Sequence, residues 1–127
     1  MRNIKDFKPF VPSNDYTASK AFYERLGFEI SWDSGELCQI DTKFGYRFLL
    51  LPQNHDNYGA SLMLHFWVDS ARAWYDHCLD VRLTDEFPEA KVSPPELQPW
   101  GLIVTYVSDP AGVLLHFAEE PAEGTSA

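Results

Sequence analysis

Two stretches of the chain carry apolar residues at helical spacing behind a capping residue. In the first, Asp15 follows Ser13 and Asn14 and precedes Ala18, Ala21, Phe22 and Leu26, with Gly27 closing the segment. A cap with a side-chain oxygen, an i, i+3, i+4, i+8 stripe and a terminal glycine together predict a helix. The second opens at Asp69 and places Ala71, Trp74, Tyr75 and Cys78 on one face. Set side by side, Ala21-Phe-Tyr-Glu-Arg-Leu26 and Ala73-Trp-Tyr-Asp-His-Cys78 agree in character position by position, which is the mark of an internal repeat.

The strands repeat as well. Thr42-Lys-Phe-Gly-Tyr-Arg-Phe-Leu-Leu50 and Asp109-Pro-Ala-Gly-Val-Leu-Leu-His-Phe117 each place a glycine turn before an apolar run, so each half ends in a hairpin. Residues 7–11, 29–33, 36–41, 61–68 and 102–107 are further short runs rich in aromatic or branched residues, and a short strand precedes Pro94. The order is strand, helix, then two or three strands, twice over. One domain over 1–120 follows, with repeats at about 7–55 and 60–119. The polar stretch 80–99, with Pro88, Pro94, Pro95 and Pro99, reads as a surface loop with little regular structure, and the tail 120–127 as frayed.

Strand parity separates two environments. Leu62, Leu64, Phe66 and Val68 share one face of their strand and suit packing under a helix, while Met63, His65 and Trp67 share the other. In the last strand Val113, Leu115 and Phe117 oppose Leu114, His116 and Ala118, which puts His116 on the face away from the helix. A face that mixes apolar bodies with polar tips suits a ligand cup, and equally a dimer interface.

Composition narrows the partners. At 127 residues, 45% of them hydrophobic and 15% aromatic, the chain has the apolar surface for a core of its own. Nineteen acidic against ten basic residues give a formal net charge of -9. That field repels nucleic acid and anionic membranes and favours a cationic ligand. Cys38 and Cys78 have neither zinc spacing nor a disulfide framework and read as core thiols. With no signal-like leader and no membrane-length apolar run, the expected location is the cytoplasm. Trp100 stands out, because Pro99 and Gly101 hold a large amphipathic ring at a bend.

Taken together, Ser19, Phe22-Tyr23, Leu26-Gly27-Phe28, Trp67-Val68-Asp69, Gln98-Pro-Trp-Gly101, Asp109-Pro-Ala-Gly112 and His116-Phe117 resemble the vicinal oxygen chelate (glyoxalase/bleomycin resistance/dioxygenase) superfamily over roughly residues 7–120. Gln-Pro-Trp-Gly is the sign of its bleomycin-resistance branch. The resemblance implies an α+β fold of two βαβββ modules forming a curved mixed sheet around a cup, in a homodimer with ligand sites at or near the subunit interface. It also carries the metal positions of the superfamily's enzymes onto Lys8, Leu49, Met63 and His116. An ammonium, an aliphatic chain, a thioether and one imidazole are a poor set for a hard or borderline divalent ion. Glyoxalase-like or dioxygenase chemistry needs that ion as a Lewis acid.

The reading is therefore a cofactor-free protein that sequesters a small cationic and aromatic drug-like molecule, such as a bleomycin-family glycopeptide, with no catalytic or metal-binding residues. A superfamily metalloenzyme, a metal-free isomerase using His116 or His65 beside Glu36 or Asp33, and an interaction protein are the alternatives. The expected ligand contacts are Trp32, Asp33, Glu36 and Leu37 on one hairpin, Met63, His65, Trp67 and His116 on the strand faces, and Trp100 in its bend. Homodimerisation follows from the aromatic rim a lone cup would leave in water.

Overall fold

The computed structural model describes residues 2–122. Its first module runs β1 (Phe10–Pro12), α1 (Tyr16–Leu26), β2 (Glu29–Asp33), β3 (Cys38–Asp41) and β4 (Arg47–Leu51). A 3-10 segment, His55–Ser61, leads into the second: β5 (Met63–Trp67), α2 (Ala71–Asp80), the single-turn α3 (Leu83–Glu86), β6 (Lys91–Val92), β7 (Glu96–Leu97), β8 (Ile103–Ser108) and β9 (Leu114–Glu119). Both modules pair their first strand in parallel with their last, giving sheet orders β1-β4-β3-β2 and β5-β9-β8-β6, with β7 also on β8. The repeat legible in the helices thus extends to strand topology. The fold is α+β with two βαβββ modules, and its mixed strands form two hydrogen-bonded sheets.

Local chemistry sets the element ends. The Asp15 carboxylate accepts from the Ala18 amide at 3.1 Å, and Gly27 ends α1 with φ 111, a left-handed conformation that costs glycine little. The buried face of α1 is Ser19, Phe22, Tyr23 and Leu26, rotated from the Ala18–Ala21 stripe. Tyr23 causes the rotation: its hydroxyl donates to the buried Asp109 carboxylate at 2.6 Å, so a polar-tipped ring is accommodated in the core. In α2 the cap is Ser70, whose hydroxyl accepts from Ala73, and not Asp69. The Val68 amide still pairs with the Ala118 carbonyl, which keeps the chain extended too long for Asp69 to cap.

Other boundaries moved for similar reasons. The first strand begins at Phe10 instead of residue 7, since Pro9 has no N–H to carry the ladder back. Gly35 and Glu36 belong to a turn closed by the Ser34 amide on the Leu37 carbonyl, so β3 starts at Cys38. The stretch 80–99 is not a structureless loop: α3, β6 and β7 lie in it, Leu83 and Ala90 are buried, and Phe87 packs edge-on against Phe22. Its apolar residues stand singly, so no periodicity announced them. Of the expected frayed tail, residues 123–127 lie outside the described part.

The buried cluster takes residues from both modules, among them Phe22, Tyr23, Leu26, Ile40, Leu50, Leu115 and Phe117. No helix of the described residues is long and apolar enough to cross a membrane.

Candidate functional site

Along β5 the alternation holds. Leu64 and Phe66 pack against the core, with Phe66 stacked on Phe117 at 5.0 Å, while Met63 and Trp67 are each 62% exposed on the other face. The parallel register sets His65 opposite His116, and the antiparallel register sets His116 opposite Tyr106. Four rings consequently form a row: Trp67 to His65 at 5.5 Å, His65 to His116 at 6.1 Å, and His116 to Tyr106 at 4.8 Å between centroids. Nε2 of His116 is buried and has no hydrogen-bond partner among the described residues. Burial, and then the neighbouring His65, holds the His116 imidazole below its usual range, so it is neutral at neutral pH.

The hairpin residues sit elsewhere. A bulge between Ile30 and Trp32 turns Trp32 to the same side as Gln39, Leu49 and Phe10. The Asp33 carboxylate is occupied: it accepts from Lys20 at 2.8 Å, from the Gly35 amide at 2.8 Å and from the Tyr16 hydroxyl at 2.9 Å. Lys20 above all, then Gly35 and Tyr16, hold it down at about 2. Its charge is spent within the chain. Glu36 is exposed and has no ion pair among the described residues, and Leu37 is half-buried beside it.

Trp100 occupies a turn in which the Gln98 amide donates to the Leu102 carbonyl and the Gly101 amide to the Gln98 carbonyl. Gly101 has φ 99, and the ring is 58% exposed. The nine expected contacts thus fall in three places. Met63, His65, Trp67 and His116 come together; the 32–37 hairpin and Trp100 each stand apart from them, with no hydrogen bond or ring contact linking the groups among the described residues.

Of the four positions carried over from the superfamily's enzymes, His116 alone offers a donor suited to a hard or borderline divalent ion. Lys8 donates to the Gln39 side chain and lies 3.8 Å from Asp6, and Leu49 sits between Phe10 and Gln39. Met63 lies opposite Leu114, a two-residue step from the His65–His116 pair. Among the described residues no three His, Cys, Asp or Glu side chains converge to hold an ion.

A cleft of about 690 Å³ lies between the modules; of the nine expected contacts His65 and Trp67 line it, and the rest of its wall lies outside that set. Phe28, Phe66 and Trp74 are among its lining, with Phe44, Tyr46, Arg47, Trp67 and Asp69. Its volume is that of a site for a drug-sized molecule. The signal was present in Phe44-Gly45-Tyr46, where two aromatic rings flank a turn glycine just as Pro99 and Gly101 flank Trp100.

No family model matches the chain. A bleomycin resistance protein of Klebsiella pneumoniae is 30% identical over 115 residues, which cover 87% of this chain and 89% of that protein. The crystal structure of a bleomycin-binding protein complexed with bleomycin superposes with a TM-score of 0.75 at 25% identity, over 93% of this chain and all (100%) of the other. A transposon-encoded bleomycin resistance determinant gives 0.73 at 25% identity, over 92% and 98%. A glyoxalase/bleomycin resistance protein/dioxygenase from Nocardioides shares the fold at 16% identity, with a TM-score of 0.69 over 99% and 89%.

Proposed function

Because the chain belongs to the bleomycin resistance protein family, we propose that it binds and sequesters a bleomycin-family glycopeptide, or a similarly cationic and aromatic molecule, with no metal of its own and without transforming it. The observation that carries this reading is the row of Trp67, His65, His116 and Tyr106, flanked by Met63, on a face with apolar surface left in water. Flat rings stack on such a row, and a neutral His116 does not repel a cation. The mismatched donors at Lys8, Leu49, Met63 and His116 support metal independence.

A homodimer completes the site in this reading. Trp32, Glu36 and Leu37 stand apart from the ring row within one chain, and a second copy supplies them across a shared groove, with Trp100 as a stacking wall at its edge. Asp33 is already balanced by Lys20, so among the described residues Glu36 is the unpaired carboxylate of that hairpin.

Thermal unfolding with and without a bleomycin-class glycopeptide tests the proposal. A ligand of the native state at one hundred times its dissociation constant adds about 2.7 kcal/mol. For a chain of this length the unfolding entropy is roughly 0.27 kcal/mol/K, so the midpoint rises by about 10 °C. The ligand should be recovered unchanged by mass spectrometry. No shift at saturating concentration, or turnover of the ligand, overturns the proposal.

A further inference from the structure

The β3–β4 turn spends its hydrogen bonds on holding two aromatic rings in water. The Asp41 carboxylate accepts from the Lys43 amide at 2.8 Å, and the Thr42 hydroxyl donates to the Tyr46 carbonyl at 2.8 Å. Lys43 and Gly45 both take positive φ, 71 and 92. Phe44 and Tyr46 emerge 69% and 76% exposed. Both line the cleft between the modules, where Phe44 stands 6.2 Å from Trp74 with the ring planes at 66°. Trp67 lines it too. Rings meeting at such an angle, above an apolar floor, make a corner whose π faces attract a cation.

The charges at the rim fit the same occupant. Asp69 lines the cleft and makes no hydrogen bond or ion pair among the described residues. Among the described residues Arg47 is the one Lys or Arg in the lining, and at 3.4 Å from Asp6 it is partly neutralised. Around all of this the chain carries a net charge of -9.

We infer that the cleft between the modules is a binding site for an organic cation, an alkylated or protonated amine on an aromatic body, with the head between Phe44, Tyr46 and Asp69 and the body against Trp74. It extends the proposed function by placing the positive end of a ligand at residues outside the ring row. Dispersion on the floor of Phe28 and Phe66 holds the body, and the rim rings and Asp69 select charge.

The test uses the full chain, labelled with nitrogen-15, titrated with benzyltrimethylammonium chloride and separately with benzenesulfonate, an anion with the same aromatic body. The cation should shift amide signals in residues 42–47 and 65–74 and the Trp74 indole, while the anion leaves them in place. Phe44→Leu with Tyr46→Leu keeps apolar bulk and removes the π faces; affinity for the cation should fall roughly three- to thirtyfold. Both side chains are exposed, so folding is spared. Asp69→Asn should weaken the cation alone. Equal binding of the anion, unchanged affinity in the double variant, or shifts confined to Trp32 and Trp100 overturn the inference. A chain that takes the small cation here yet ignores bleomycin refutes the sequestration reading and leaves this one standing; the converse result does the opposite.

Discussion

Replacing Tyr23 by Phe removes one oxygen from the core and leaves the ring where it is, parallel to Phe28 at 6.2 Å and edge-on to Phe22 and Phe48. The lost contact is the 2.6 Å hydrogen bond to Oδ2 of Asp109. Oδ1 keeps the Ala111 and Val113 amides at 2.8 and 3.0 Å, so the Asp-Pro-Ala-Gly turn that launches β9 survives. Asp109 is 1% exposed, which denies water access to the orphaned oxygen. A buried charged acceptor deprived of its donor costs about 3 kcal/mol. Dividing by roughly 0.27 kcal/mol/K predicts a fall in melting midpoint of about 11 °C.

The pH dependence has a definite sign. Burial raises the Asp109 carboxyl, while the Tyr23 hydroxyl and the backbone amides of Ala111, Val113 and Gly112 pull it back. A carboxyl raised by folding contributes stability below its unfolded value, near 3.8, and loses that contribution as pH rises through the folded value. Tyr23→Phe raises the folded value further. Its penalty is therefore largest at neutral pH and shrinks toward pH ~4. Urea titrations of both proteins at several pH values read this directly. A loss under about 0.5 kcal/mol at pH 7, or one that grows on acidification, refutes the reasoning.

Trp67→Ala should lower affinity for a bleomycin-class ligand roughly five- to a hundredfold with little loss of stability, since the ring is mostly in water; calorimetry and thermal melts check the two halves. Trp100→Ala should do the same if the ring is a stacking wall, whereas a lower melting midpoint or monomers in sedimentation would mark it as a dimer anchor. Asp33, held at about 2 in the folded chain, contributes stability above its unfolded value that disappears as pH falls toward 2, so the difference between wild type and Asp33→Asn in urea midpoint should vanish there. Sedimentation at micromolar concentration should give twice the chain mass, and a clean monomer would remove the shared groove.

Much of this fold is legible locally. Asp15 and Gly27 announce the ends of α1 because capping and left-handed geometry are properties of single residues, and the alternation of β5 and β9 tells which side faces the helices. Tyr23 misled because its hydroxyl partner is 86 residues away, which no local pattern reports. Leu83 and Ala90 are buried yet belong to no apolar stripe, so no local pattern marks them. For the site, strand parity placed His65 and His116 on matching faces, while their direct pairing required the register. The separation of Trp32 and Trp100 from that row is tertiary, and the Phe44–Tyr46 rim becomes meaningful only once α2 brings Trp74 beneath it.

Calorimetric titration of chelator-treated protein with a metal-free bleomycin-class glycopeptide tests the central claim most directly. Sequestration predicts saturable heat at one ligand per chain, retained without added metal and weakened in Trp67→Ala. Absence of binding, or binding that appears only after zinc, iron, nickel or manganese has loaded onto the protein, would contradict it.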